Sequence, residues 1–205
     1  MPRKGRRESG TMFYHVIVKG INNEKIYHQQ REKIYFKKKI LKYLKKYDVE
    51  LYAYCIMSNH AHLIIKAEFP VLSAFMAVVL AEYAVYYNFK HRRNGHVFQN
   101  RFVSECIETE AYYWNCLRYI HMNPVKANMV KEPVRYRYSS LVEYKMDTPG
   151  MIHANALIRY KDNFNDYKQF ETFQQRKTIW KYLADVSEEV MSQKKKRRHL
   201  SRSRC

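Results

Sequence analysis

Residues 50–67 constrain the fold more than any other stretch of the chain. Two runs rich in β-branched and aromatic residues, ELYAYCIM (50–57) and HAHLIIKA (60–67), have only Ser58 and Asn59 between them. Neighbouring strands joined by so short a link must pair antiparallel, because a parallel crossover needs about a dozen residues or more. The pair is a β-hairpin, and a hairpin needs further strands or a helix to be stable in water. Residues 12–19, MFYHVIVK, read as such a strand, ended by Gly20. Residues 31–47 carry Ile34, Tyr35, Leu41 and Leu44 among lysines, the pattern of an amphipathic helix with a basic outer face. Pro70 opens an apolar segment reaching about Asn88, too long for a strand and hence a helix. After a polar break at Arg92–His96, residues 101–107 read as a fourth strand. A last helix starts at Thr109–Glu110, passes Tyr112 and Tyr119, and is expected to stop at Pro124, which has no amide proton.

The order β-α-β-β-α-β followed by a helix is the split β-α-β arrangement. It implies an α+β, ferredoxin-like (RRM-like) antiparallel sheet with helices on one face. Residues 12–144 make up this domain. Asp147–Gly150 reads as a boundary, and 145–190 as a helical accessory region, with one or two helices around Phe170, Phe173, Trp180 and Leu183. Residues 191–205 form a basic tail suited to phosphate.

Charge narrows the partner. Lys and Arg number 38 against 19 acidic residues, a net charge of +19, far more than solubility asks for and directed at a polyanion, nucleic acid ahead of membrane. The apolar stretches read as short and interrupted by charge, so neither a bilayer span nor a secretory signal is expected, and the setting expected is the cytoplasm, with nucleoid association when bound to DNA. Cys55, Cys106, Cys116 and Cys205 form no CxxC pair and read as reduced thiols.

Two small groups of residues could carry chemistry. His60 and His62 stand two apart on a strand, so their side chains share a face and can ligate one divalent cation, with positions left for water or phosphate oxygen. The plain alternative is a pair of partly exposed strand histidines. Tyr119 and Asn123 are four apart and share a helix face, although Asn123 precedes Pro124 and its backbone could already leave the helix. Tyr112 and Tyr113 lie on the same helix, and spacing does not choose among the three tyrosines.

The segments AYCIMSNHAHLII, GHVFQNRF and LRYIHMNPVKANMV, in this order and followed by YRYSSLVEY, make the chain similar to the HUH single-tyrosine transposases of bacterial insertion sequences, and most of all to the REP-associated tyrosine transposases. The resemblance covers roughly residues 12–144. It implies that His60 and His62 hold a metal ion (Mg²⁺ or Mn²⁺), that Tyr119, on the helix after the fourth strand, is the nucleophile, and that Asn123 helps complete the metal site. It also implies a single-stranded DNA partner with a hairpin, and leaves open a homodimer, since insertion-sequence members share active sites between two chains. The sequence departs from the family pattern at Ala61, at Ser58 and at Lys19-Gly20, none of which removes a reacting group. Lys19, Arg92, Arg93 and Arg101 are candidates for flanking phosphates, against the alternative of solvated surface charge.

The chemistry expected is metal-dependent cutting and rejoining of single-stranded DNA through a 5′-phosphotyrosine. Rival readings are a non-enzymatic RRM-like module for single-stranded nucleic acid, a replication initiator or relaxase with the same chemistry, and an inactive copy that only binds DNA.

Overall fold

The computed structural model describes residues 7–175; the basic tail, Trp180 and Leu183 lie outside them. Four strands, β1 (Phe13–Lys19), β2 (Glu50–Ile56), β3 (His60–Lys66) and β4 (Val103–Cys106), form one antiparallel sheet in the order β2-β3-β1-β4. The hairpin closes where Met57 N donates to His60 O at 2.8 Å. Position 20, just past β1, has no room for a side chain: a Cβ would lie 2.4 Å from Glu24 O and 3.0 Å from Ile26 Cγ2.

The two crossover helices, α1 (Gln30–Leu44) and α2 (Phe69–Lys90), pack together on one face of this sheet. A capping box starts α1, with Gln29 N donating to Glu32 Oε2 at 2.7 Å. Its inner stripe is Phe36, Ile40 and Tyr43, while Ile34 and Leu41 are about 40% exposed. Both sets of residues fit a helical period, and α2 is what selects between them. Pro70 lies in the first turn of α2, where its missing N–H has no partner to lose.

The expectation that apolar runs are short fails at α2. Its 22 residues are long and apolar enough to cross a membrane by length and composition alone. Here the apolarity is used inside the protein: Leu72, Phe75, Met76, Val79 and Tyr83 are buried, and Tyr14 of β1 meets Phe69. Val85 and Phe89 remain on the outer side, 71% and 86% exposed.

The helix after β4, α3 (Glu110–Lys126), lies across the other face of the sheet. Strand alternation shows this. Tyr14 meets α2, whereas its neighbour Phe13 meets Tyr113 of α3 at 5.5 Å between ring centroids. A bulge between Leu51 and Ala53 sets Tyr52 beside both Phe13 and Tyr113. Thr109 caps α3, its hydroxyl accepting from Tyr112 N at 3.2 Å.

Pro124 does not end α3, contrary to expectation; the helix runs on to Lys126. The proline deprives the Ile120 carbonyl of a donor, but Ala127 N still bonds Asn123 O and Met129 N bonds Pro124 O. So late in a helix, one lost bond leaves the final turn intact. Asn123 therefore keeps helical backbone and shares a face with Tyr119.

Among the described residues three further α-helices follow: α4 (Leu141–Met146), α5 (Ala154–Asn163), which the sequence pattern did not reveal, and α6 (Tyr167–Gln175). They pack through aromatic contacts of Tyr144 with Tyr160 and Phe170, and of Trp114 on α3 with Phe164. The turn at Asp147–Gly150 is folded onto Glu143, whose Oε2 accepts from the amides of Gly150, Met151 and Ile152. Among the described residues Cys55, Cys106 and Cys116 are free thiols, as expected.

Candidate active site

Pairing of β1 with β3 builds the site. Lys19 lies opposite His60, Ile17 opposite His62 and His15 opposite Ile64. Directly paired residues share a face, so His15, His60 and His62 all look toward α3. Tyr119 closes the group from above. Its ring stands edge-on to His62 at 5.3 Å and to His15 at 6.1 Å between centroids.

The other tyrosines of α3 are engaged elsewhere. Tyr112 Oη donates to Glu105 Oε2 at 3.2 Å, and Tyr113 is buried against Phe13, Tyr52 and Trp114. Spacing could not choose among the three tyrosines; in the folded chain it is the Tyr119 ring that meets the histidines.

The two histidines of β3 are held by their Nδ1 atoms. Asn59 Oδ1 can only accept, so His60 Nδ1 donates to it, at 2.7 Å. His62 Nδ1 lies 3.0 Å from His15 Nε2, and His15 Nδ1 lies 3.3 Å from Glu105 Oε2. The two β3 rings are perpendicular, with centroids 4.9 Å apart.

Burial and Lys19 lower the His60 pKa to about 4, and burial with the neighbouring His60 and His15 puts that of His62 well below the ordinary value. Both rings are neutral at pH 7, the state a metal ligand needs. At His15 burial disfavours charge, but Cys116 and Glu105 favour it and raise the pKa to about 10. In the metal-free protein the charged His15 therefore donates to His62 Nδ1, and the bond reverses, His62 donating, when His15 is neutral.

This donor set could hold a divalent ion in part. Among the described residues no cluster of three or more His, Cys, Asp or Glu side chains forms a closed metal cage. Two imidazoles leave coordination positions for oxygen ligands. Asn123 is 9% exposed, and its Nδ2 donates to Tyr119 O at 3.2 Å, so Oδ1 is the atom it has to offer.

The cationic candidates separate in the fold. Lys19 adjoins His60, and Gln99 N donates to Lys19 O at 2.9 Å, which brings the stretch carrying the exposed Arg101 alongside. Arg92 is exposed just past α2. Arg93 is committed to the fold, paired with Glu24 and lying over the Tyr87 ring at 5.6 Å. Lys126, one turn past Asn123, places its Nζ 5.2 Å from the Tyr119 ring centroid. Sequence reasoning passed over Lys126, His15 and Glu105. A lone histidine in the apolar strand FYHVIVK, in step with Ile17 and Lys19, was the signal available for His15.

The RRM-like reading does not survive this geometry. Such modules stack bases on the open face of the sheet. Here the aromatics of that face, Phe13 and Tyr52, are 8% and 3% exposed beneath α3.

Comparison with known proteins agrees with this architecture. The family model described as "Transposase IS200 like" matches residues 9–123. No curated protein matches the sequence. Among solved structures, a REP-associated tyrosine transposase bound to a REP hairpin superimposes with a TM-score of 0.60 at 18% identity, over 75% of this chain and 92% of that one. A transposase-like protein from Deinococcus radiodurans R1 matches with a TM-score of 0.40 at 15% identity, over 55% of this chain and 89% of that one. At 18% identity the likeness to the REP-associated transposase structure concerns the fold alone.

Proposed function

Since the chain belongs to the IS200-like transposase family and is a DNA transposase, we propose that it cuts and rejoins single-stranded DNA with Tyr119 as nucleophile. The observation that carries this reading is the Tyr119 ring set edge-on at 5.3 Å from His62, on the face where two neutral histidines stand together.

His60 and His62, with Asn123 through Oδ1, would hold a divalent ion, Mg²⁺ or Mn²⁺. When bound, such an ion polarises the scissile phosphate and stabilises the charge that builds up on it. Lys19 and Lys126 bring cations to the same end of the sheet and would bind phosphate oxygens, with Arg92, just past α2, and Arg101, just before β4, as further candidates. The Tyr119 oxygen attacks phosphorus in line and the bond to the 3′ oxygen breaks. The phenol gives up its proton and the expelled oxygen takes one up. The products are a free 3′-OH and a 5′-phosphotyrosine. Because the covalent link retains the phosphodiester's energy, a second 3′-OH can attack it and rejoin strands without ATP.

The partner we propose is single-stranded DNA beside a hairpin, met in the cytoplasm. The structural relative solved with a REP hairpin supports this choice, as does the net charge of +19. The test uses hairpin DNA from the region flanking the gene, incubated with protein and Mg²⁺ or Mn²⁺ and run on a denaturing gel. Wild type gives a covalent adduct. Tyr119→Phe gives none but still binds the hairpin, while Tyr112→Phe and Tyr113→Phe keep the adduct. An adduct that persists in Tyr119→Phe overturns the assignment.

A further inference from the structure

We propose that His15 and Glu105 are positioning residues that hold His62 in the one tautomer and orientation able to present Nε2 to a divalent cation. The inference rests on the reading of His60 and His62 as the metal-holding pair.

A neutral imidazole carries one proton, and a cation can be taken only at the nitrogen without it. A ligand at His62 Nε2 thus requires the ring proton on Nδ1, and that N–H then needs an acceptor. His62 is 3% exposed, so water does not serve. His15 Nε2, 3.0 Å away, is the group in place. With a cation at His62 Nε2 it accepts only as the neutral ring, its second proton released on metal binding, and Glu105 Oε2, at 3.3 Å, keeps the remaining proton on Nδ1. The chain Glu105–His15–His62 thus passes one tautomer choice from a carboxylate to the metal-facing nitrogen, and the near-parallel stacking of the two rings (20° between planes) holds the direction of the bond. At His60 the same task is done in one step, by Asn59 Oδ1.

Two features argue against a purely space-filling role. His15 is 2% exposed in a strand otherwise filled by Tyr14, Val16, Ile17 and Val18, where an apolar side chain would avoid burying polar nitrogens. In addition, Glu105 lies directly opposite His15 on β4 and also accepts from Tyr112 Oη at 3.2 Å. Tyr112 is on α3, so the carboxylate that orients His62 is tied to the helix that carries Tyr119.

The test reads Mn²⁺ affinity by electron paramagnetic resonance, independently of cleavage, with thermal unfolding and hairpin binding as checks on folding. His15→Phe and Glu105→Ala should weaken Mn²⁺ binding by about ten- to a hundredfold, the range found when the outer partner of a metal-bound histidine is lost. His15→Gln keeps an acceptor oxygen for His62 Nδ1–H and should stay well above His15→Phe. Wild-type affinity in both His15→Phe and Glu105→Ala refutes the inference, and so does a His15→Gln loss equal to that of His15→Phe. If His15→Phe does not fold, Glu105→Ala, on the more exposed strand, decides alone. His60→Ala separates the two levels. If it binds Mn²⁺ as wild type does, the metal reading itself is wrong; if it loses Mn²⁺ while His15→Phe and Glu105→Ala do not, only the present inference falls.

Discussion

Removing the Glu143 carboxylate should unpin the helices that follow α4 and bring the protein close to unfolding. Oε2 of Glu143 accepts three backbone amides, from Gly150 and Met151 at 2.8 Å and from Ile152 at 3.0 Å, and Oε1 accepts Tyr54 Oη at 2.8 Å. In Glu143→Ala the amides of Met151 and Ile152, both buried residues, lose their acceptor. At about 1–3 kcal/mol for each of these two amides the loss is about 2–6 kcal/mol, before the buried Tyr54 hydroxyl, which loses its acceptor too, is counted. Gly150 is exposed and water can replace its bond. A domain with a total stability of about 5–15 kcal/mol is then marginal. Glu143→Gln keeps an oxygen for the amides and drops the charge, so its loss should be smaller, about 1–2 kcal/mol. Urea unfolding followed by circular dichroism measures both. A loss below about 1 kcal/mol in Glu143→Ala, well under the range expected for two orphaned amides, would refute the argument and mean that the turn finds other acceptors. Any molecules that remain folded should still form the DNA adduct, since Glu143 lies outside the histidine and tyrosine group.

Other perturbations address the site, the pH response and the tail. His60→Ala or His62→Ala, or addition of EDTA, should abolish cleavage, and Mg²⁺ or Mn²⁺ should restore the chelated wild type; full activity in chelator would remove the metal from the mechanism. His121 is fully buried, with Nε2 2.9 Å from Ser140 Oγ, and burial lowers its pKa from 6.5 to about 3. The unfolded chain therefore takes up the proton first, so stability is intact above pH 6.5 and lost as pH falls toward 3, by up to about 5 kcal/mol. Melting temperature against pH should show a shallower acid loss in His121→Phe, and an unchanged slope would count against the assignment. Deleting residues from 193 onward should flatten the salt dependence of binding, at about 0.7 of a log unit per lost phosphate contact on single strands, without moving the cut site; a shifted cut would make the tail a recognition element.

The order of elements was written in local signals: a two-residue link at Ser58–Asn59, a proline at the start of α2, a capping threonine before α3. These act within a few residues of themselves, so they are legible along the chain. The alternation of a strand likewise puts His60 and His62 on one face. Signals that depend on competition between neighbours were less legible. Ile34 and Leu41 fit a helical stripe as well as Phe36 and Ile40 do, and Pro124 could have ended α3 had it stood a turn earlier.

Which residues meet across the sheet depends on packing. Local pattern and composition give two histidines side by side, a helix bearing three tyrosines and a net charge directed at nucleic acid. The packing of α3 on the face opposite α1 and α2 brought Tyr119, rather than Tyr112 or Tyr113, onto the histidines. The β1–β3 and β1–β4 registers set His15 between His62 and Glu105, residues 47 and 90 positions away from it in the chain. Periodicity reports which way a side chain points relative to its own backbone. It carries no information on what another element, dozens of residues away, will place opposite it, and that placement turns separate side chains into a site.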